Sequence, residues 1–284
     1  MFTVGSAQHR EAFARFFLDS HVEYEPAAAP WPPLTAASLA RLVSLPFWQD
    51  ALSTENVTSS AVTAAAALEP DPLLRRAIAL QGFEERRHAH LLLELTAHYG
   101  IPVHPPERFE PRSLERDFLR AGFGECFDSF FAFGLFALAR DSGYFVPELV
   151  LVFEPVIQEE ARHILFFVNW IECRRARLPW WWRPAFRLRC TLTILSQVAA
   201  RARMARRMGG RSEPGNDNFT LTGHRDLRVN VRFTGLLQLC QSENERRLGR
   251  YDRRLLRPRL VPRAVKTVLH VLTSWPLAAL AQAK

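Results

Sequence analysis

Along most of the chain apolar residues recur at every third or fourth position, and stretches that alternate with period two are nearly absent, so the pattern predicts an all-helical protein. Clusters of helix breakers cut the first part into long segments: AAAPWPP at 27–33, EPDP at 69–72, YGIPVHPPERFEP at 99–111, DSGYF at 141–145 and RLPWWWRP at 177–184. Four long helices fit between them, over 36–68, 72–98, 112–140 and 147–176. The first and third connections are short enough to make antiparallel hairpins, and the longer middle one can cross between them, which gives a four-helix bundle. Further helices fit at 185–208 and 226–256, on either side of the turn-rich GGRSEPGNDN (209–218), and a last one at 260–282. The chain thus divides into an N-terminal segment (1–35), the bundle (36–176) and an arginine-rich helical extension packed on it (177–284).

Composition changes this picture little. With 284 residues, 48% apolar and 23% charged, the chain can bury a full core and is not of a disordered type. No secretory leader is read in MFTVGSAQHREAFARFFLDSH, so a cytoplasmic location is expected. Cys126, Cys173, Cys190 and Cys240 have no CxxC spacing, which argues against a zinc ribbon or a disulfide framework and for free thiols. No uninterrupted apolar run reaches the roughly 18 residues of a membrane span, so attachment peripheral to the inner membrane stays open while spanning does not. The net charge of +8 is carried by arginine, Lys266 and Lys284 being the only lysines.

The chemistry lies in a phrase that occurs twice, EERRHAH at 84–90 and EEARHIL at 159–165. In each, a glutamate precedes a histidine by three residues, Glu85 with His88 and Glu160 with His163, so carboxylate and imidazole share one helix face and can converge on a metal. Glu55 and Glu85 lie equally far from position 70 in the first hairpin turn, and Glu125 and Glu160 equally far from the middle of DSGY in the other. Each Glu-x-x-His therefore gains a lone glutamate at matched depth. Ile78, Gly82 and Leu92 share the face of Glu85 and His88, Ile157, Ile164 and Phe167 that of Glu160 and His163, and Phe118, Gly122 and Phe136 that of Glu125, so these polar groups point inward. Four carboxylates and two imidazoles buried without partners would cost several kcal/mol each, and two divalent cations would neutralise them. The metal-free alternative is an ion-pair cluster with Arg86, Arg87 and Arg162.

One glutamate from each of two helices and Glu-x-x-His from each of two others resembles the ferritin-like di-iron carboxylate superfamily over about residues 40–175, and EEARH resembles the DE-x-RH segment of its oxygen-activating members. The resemblance implies Glu55, Glu85 and His88 at one iron and Glu125, Glu160 and His163 at the other, with Glu85 and Glu160 able to bridge. Mixed carboxylate and imidazole ligation suits iron, or manganese at one or both sites, better than structural zinc. Two complete motifs favour O2 activation over iron storage. Leu92 and Phe167 occupy the places, four residues after each histidine, where a radical-forming tyrosine would stand. Without CxxC pairs for a rubredoxin-like site, electrons must come from an external donor. The implied activity is a di-iron oxidase or oxygenase acting on an apolar or amphipathic small organic molecule; the alternatives are a ferroxidase without organic substrate and a tRNA-modifying hydroxylase.

Several positions keep two readings. Gly122, Thr58, Ser59 and Ala66 leave room for a substrate beside a phenylalanine-rich helix, or simply let helices pack. Asp128, one turn past Glu125, either accepts an N–H from a ligand histidine or makes an ion pair. Pro155 either kinks the fourth helix or begins it. The run RRARLPWWWRPAFRLR and the arginines beyond it suit a membrane surface, with Trp180, Trp181 and Trp182 as interfacial anchors, a nucleic acid, which ranks behind it, or a plain solvated surface. His90, His98, His104, His224 and His270 are read as ordinary surface or core histidines.

Overall fold

The computed structural model describes residues 2–208 and 233–274, which are helical apart from turns and loops and contain no strand. The N-terminal segment folds into α1 (Ala7–Asp19) and a 3-10 turn (Pro26–Ala28). There follow α2 (Ala36–Val43), α3 (Trp48–Leu68), α4 (Pro72–His98), α5 (Leu114–Asp141) and α6 (Pro147–Arg177). The extension contributes α7 (Arg183–Met208), α8 (Phe233–Leu248) and α9 (Leu260–Ser274).

Local chemistry sets these boundaries. Asp71 caps α4 by accepting from the amides of Leu73 and Leu74, while Pro72 fills the first helical position, where no amide is needed. Gly100 and Gly143 follow α4 and α5 with φ of 65° and 67°, the left-handed conformation that lets the chain leave a helix. The helix expected over 36–68 is two helices. Pro46 has no amide to donate and disfavours helix at the residue before it, so the chain turns at 44–47, and Trp48 fixes the corner by donating from Nε1 to the Leu42 carbonyl at 2.9 Å. Pro155 lies inside α6, which begins at Pro147, so the reading that starts a helix at Pro155 is set aside. The helix expected over 226–256 ends at Leu248, where the turn through Gly249 stops it. The linker 209–218, His224 and the ends of the two last expected helices, 226–232 and 275–282, lie outside the described residues.

Four of the helices pack in a ring: α3 touches α4 and α5, and α6 touches α4 and α5. The N-terminal segment is part of the same core, because α1 lays Phe13 and Phe17, both fully buried, against α4 and α6. On the other side α8 and α9 close over α5 through Phe130, Leu135, Leu236, Leu237, Val261 and Val265. The approach of α5 to α8 depends on Gly134, where a Cβ would stand 2.9 Å from the backbone nitrogen of Cys240. By length and composition α5 is apolar enough to cross a membrane, with a mean hydropathy of 1.3 over 18 residues. That apolarity is used within the fold, since α5 touches α3, α6, α7, α8 and α9. The four cysteines are free thiols.

Candidate metal centre

The ring brings Glu55 from α3, Glu85 and His88 from α4, Glu125 from α5, and Glu160 and His163 from α6 to its centre. They form two groups whose facing atoms lie within 4.8 Å of one another, Glu55 with Glu85, His88 and Glu160, and Glu85 with Glu125 and His163. The expectation put Glu160 with Glu125 and His163 and let it and Glu85 bridge; here Glu160 groups with His88, and Glu85 is the residue common to both groups. Ser129 donates to Oε2 of Glu160 at 2.8 Å, and this turns Oε1 toward Nδ1 of His88, 3.4 Å away. Glu85 reaches both groups, with Oε2 3.8 Å from Nδ1 of His88 and Oε1 2.8 Å from Nδ1 of His163. Gln81 donates to both oxygens of Glu125.

Behind these atoms lies a second set that the spacing argument missed. Nε2 of His88 is 2.8 Å from Glu159, and Nε2 of His163 is 2.8 Å from Glu84. Each imidazole is thus held by the glutamate that opens the phrase on the opposite helix. The arginines cross over in the same way, Arg87 to Glu159 and Arg162 to Glu84. So the repeat has four functional positions rather than two, Glu-Glu-x-Arg-His, and the signal was present in the matching of EERRH with EEARH. The N-terminal segment completes the set. His21 bonds Glu84, the Tyr24 hydroxyl donates to Glu159 at 3.3 Å, and Arg162 donates to the Phe17 carbonyl and to Ser20. The Arg87 guanidinium also lies 3.8 Å over the centre of the Tyr24 ring.

Asp128 occupies another place than the one expected. Its carboxylate faces Arg201 of α7, at 3.1 Å from Nε, while the imidazole nitrogens it was to hold are met by Glu84 and Glu159. The small residues beside the centre are taken up by helix packing. A Cβ on Gly122 would collide with the Phe167 ring, Ser59 donates to the Gly82 carbonyl, and Ala66 belongs to the core. His98 stacks against Tyr99 and Trp31, remote from the ring centre in its contacts.

Burial and mutual contact shift most of the groups at the centre toward their protonated forms. Burial, reinforced by Glu125 and Glu160 and only partly offset by His163, holds the Glu85 carboxyl well above the usual carboxylate range. Burial likewise pushes Glu125 up to about 8, although it keeps some accessible surface. Glu160 is also raised by burial, but His88, His163 and Ser129 outweigh this and leave it lowered. Burial disfavours charge on both imidazoles, yet Glu159, Glu160 and Glu55 raise His88 well above its ordinary value, and Glu85 and Glu84 do so for His163. Glu84 is held low against its burial by His163 and Arg162, and burial pushes Tyr24 up to about 12. Four buried atoms in the two groups meet only other members of the cluster: Glu85 Oε1 and His163 Nδ1 face each other at 2.8 Å, and Glu55 Oε2 and His88 Nδ1 at 3.5 Å. Within each group the ligand atoms are close enough together that one cation could be shared among them.

No protein-family model matches this chain, and neither the curated proteins nor the solved structures contain a match to it.

Proposed function

We propose that this protein is an O2-activating di-iron oxidoreductase built on a ferritin-like bundle. The observation that carries the reading is the convergence of Glu55, Glu85, His88, Glu125, Glu160 and His163, from four helices, into two buried or half-buried groups whose ligand atoms lie within 4.8 Å of one another. Two groups that share Glu85 suit a pair of cations better than one, and oxygen and imidazole donors without thiolates suit iron or manganese. Glu55, Glu85, His88 and Glu160 would hold one ion and Glu85, Glu125 and His163 the other. Bound iron would supply one-electron redox chemistry and the reduction of O2.

The chain's own part is orientation and charge. Because Glu159 and Glu84 accept from Nε2, Nδ1 of each imidazole is turned toward the inner carboxylates, where a bound metal would take it as a ligand. Arg87 and Arg162 neutralise those outer carboxylates, so the centre can bind cations without accumulating negative charge behind its ligands. Phe17, Phe166 and Phe167 are fully buried, and the Phe17 ring lies 5.9 Å from the His163 ring, so this side of the centre is apolar. The substrate is a small apolar or amphipathic organic molecule, and electrons come from an external donor.

The test is metal content per chain after growth with added iron, together with the absorption spectrum under air. Two irons per chain with visible oxo-bridge absorption are expected in the parent protein. Glu85→Ala and His163→Ala should lose the metal while keeping their helical circular dichroism, and His98→Ala should keep it. Unchanged iron in both ligand variants would overturn the assignment. Rapid consumption of Fe(II) and O2 with no organic product from any donor system would move the reading to a ferroxidase.

A further inference from the structure

The outward face of α7 offers an interaction surface that does not depend on the metal reading. Helical spacing puts Phe186, Cys190 and Thr193 against the bundle, where all three are buried. The opposite face carries Leu188, Leu192 and Leu195, each more than half exposed, in the i, i+4, i+7 pattern of an apolar stripe. Immediately before the helix stand Trp180, Trp181 and Trp182, also more than half exposed. A folded surface seldom leaves six large apolar side chains exposed within residues 180–195 without a use.

Charge selects the occupant. Residues 173–208 contain ten arginines and no aspartate or glutamate. Arg189 and Arg201 are paired with Glu115 and Asp128 of α5, but among the described residues Arg187 and Arg203 make no ion pair, and both are exposed at the margins of the stripe. A second copy of the chain docking face to face would set arginine against arginine. A nucleic acid would meet the arginines but leave the leucines in water. A bilayer with anionic headgroups satisfies both features, since the leucines enter the acyl boundary, the indoles sit at the headgroup level and the arginines meet phosphate.

We propose that α7 and the preceding tryptophan triplet form a docking face for anionic phospholipid membranes, along which the helix lies in the interfacial plane. The experiment is flotation of the full chain with vesicles of phosphatidylcholine alone and of equal parts phosphatidylcholine and phosphatidylglycerol, with brominated acyl chains as quenchers of tryptophan emission. The parent chain should float with the mixed vesicles, less so as salt rises, with its emission quenched. Leu192→Asp combined with Trp181→Ala should abolish flotation without altering iron content or helicity. Arg187→Gln alone should weaken partitioning about fivefold. Failure of the parent chain to float with the mixed vesicles overturns the proposal, as does flotation that the double variant leaves unchanged. A change in oligomeric mass in the double variant, with no vesicle binding by the parent, assigns the face to self-association instead.

Discussion

At the scale of single residues, the centre depends on atoms one step removed from it. Glu84→Gln and Glu159→Gln preserve shape but remove the charge that holds an imidazole, and each should lower iron affinity roughly 10- to 100-fold, read by competition with a chelator. The ionisable groups also predict how the metal-free protein responds to pH. Glu125 has a raised pKa, so the folded state binds its proton more tightly than the unfolded one, and that contribution to stability fades as pH climbs from about 4.5 to about 8. His88 and His163, raised as well, contribute below 6.5 and lose their contribution as pH rises through their folded values. Melting temperatures taken in chelator should therefore fall across this window, while metal affinity should rise as those same protons leave. That the six inner side chains converge was legible because i, i+3 spacing puts Glu85 with His88 and Glu160 with His163, and equal distance from each hairpin turn puts Glu55 and Glu125 at their depth. Glu84, Glu159 and the two arginines also recur in the repeat, but they lie off the face shared by the glutamate–histidine pairs, and helical spacing alone gives them no partner. His21 and Tyr24 were not legible at all, since only tertiary packing brings them to partners that lie 63 and 135 positions away.

At the scale of helices, the same network ties α1 to the ring. Arg162 donates to Glu84 and also to the Phe17 carbonyl and to Ser20 at the end of α1. Arg162→Met should therefore destabilise by about 3 kcal/mol, because a buried carboxylate loses a guanidinium partner. Hydrogen exchange should show the extra opening concentrated in α1, and uniform loss of protection would argue against this coupling. The helix pattern itself was readable from breakers and period, whereas the break at Pro46 was not, because the apolar residues on both sides of it keep helical spacing. The N-terminal segment was set apart from the bundle because its helix is short, although the full burial of Phe13 and Phe17 makes it core.

At the scale of the whole molecule, cation binding and folding should be one equilibrium. In the metal-free fold the raised pKa values of Glu85, Glu125, His88 and His163 keep protons at the ring centre, and a bound cation would take their place. Iron or manganese at about a hundredfold excess over its Kd should add about 2.7 kcal/mol to unfolding, measured by urea denaturation with and without metal. Equal stability in both conditions would contradict a centre formed by the folded ring. The crossed support of the two histidines has a consequence for inheritance. Because position 84 serves the histidine at 163 and position 159 serves the one at 88, neither half of the ring can drift alone. Substitutions tolerated over evolutionary time should arrive as matched changes across the two hairpins, 84 with 162 and 163, 159 with 87 and 88. An isolated hairpin taken from this chain would carry ligands without their supports, unless it found a twin to lend them.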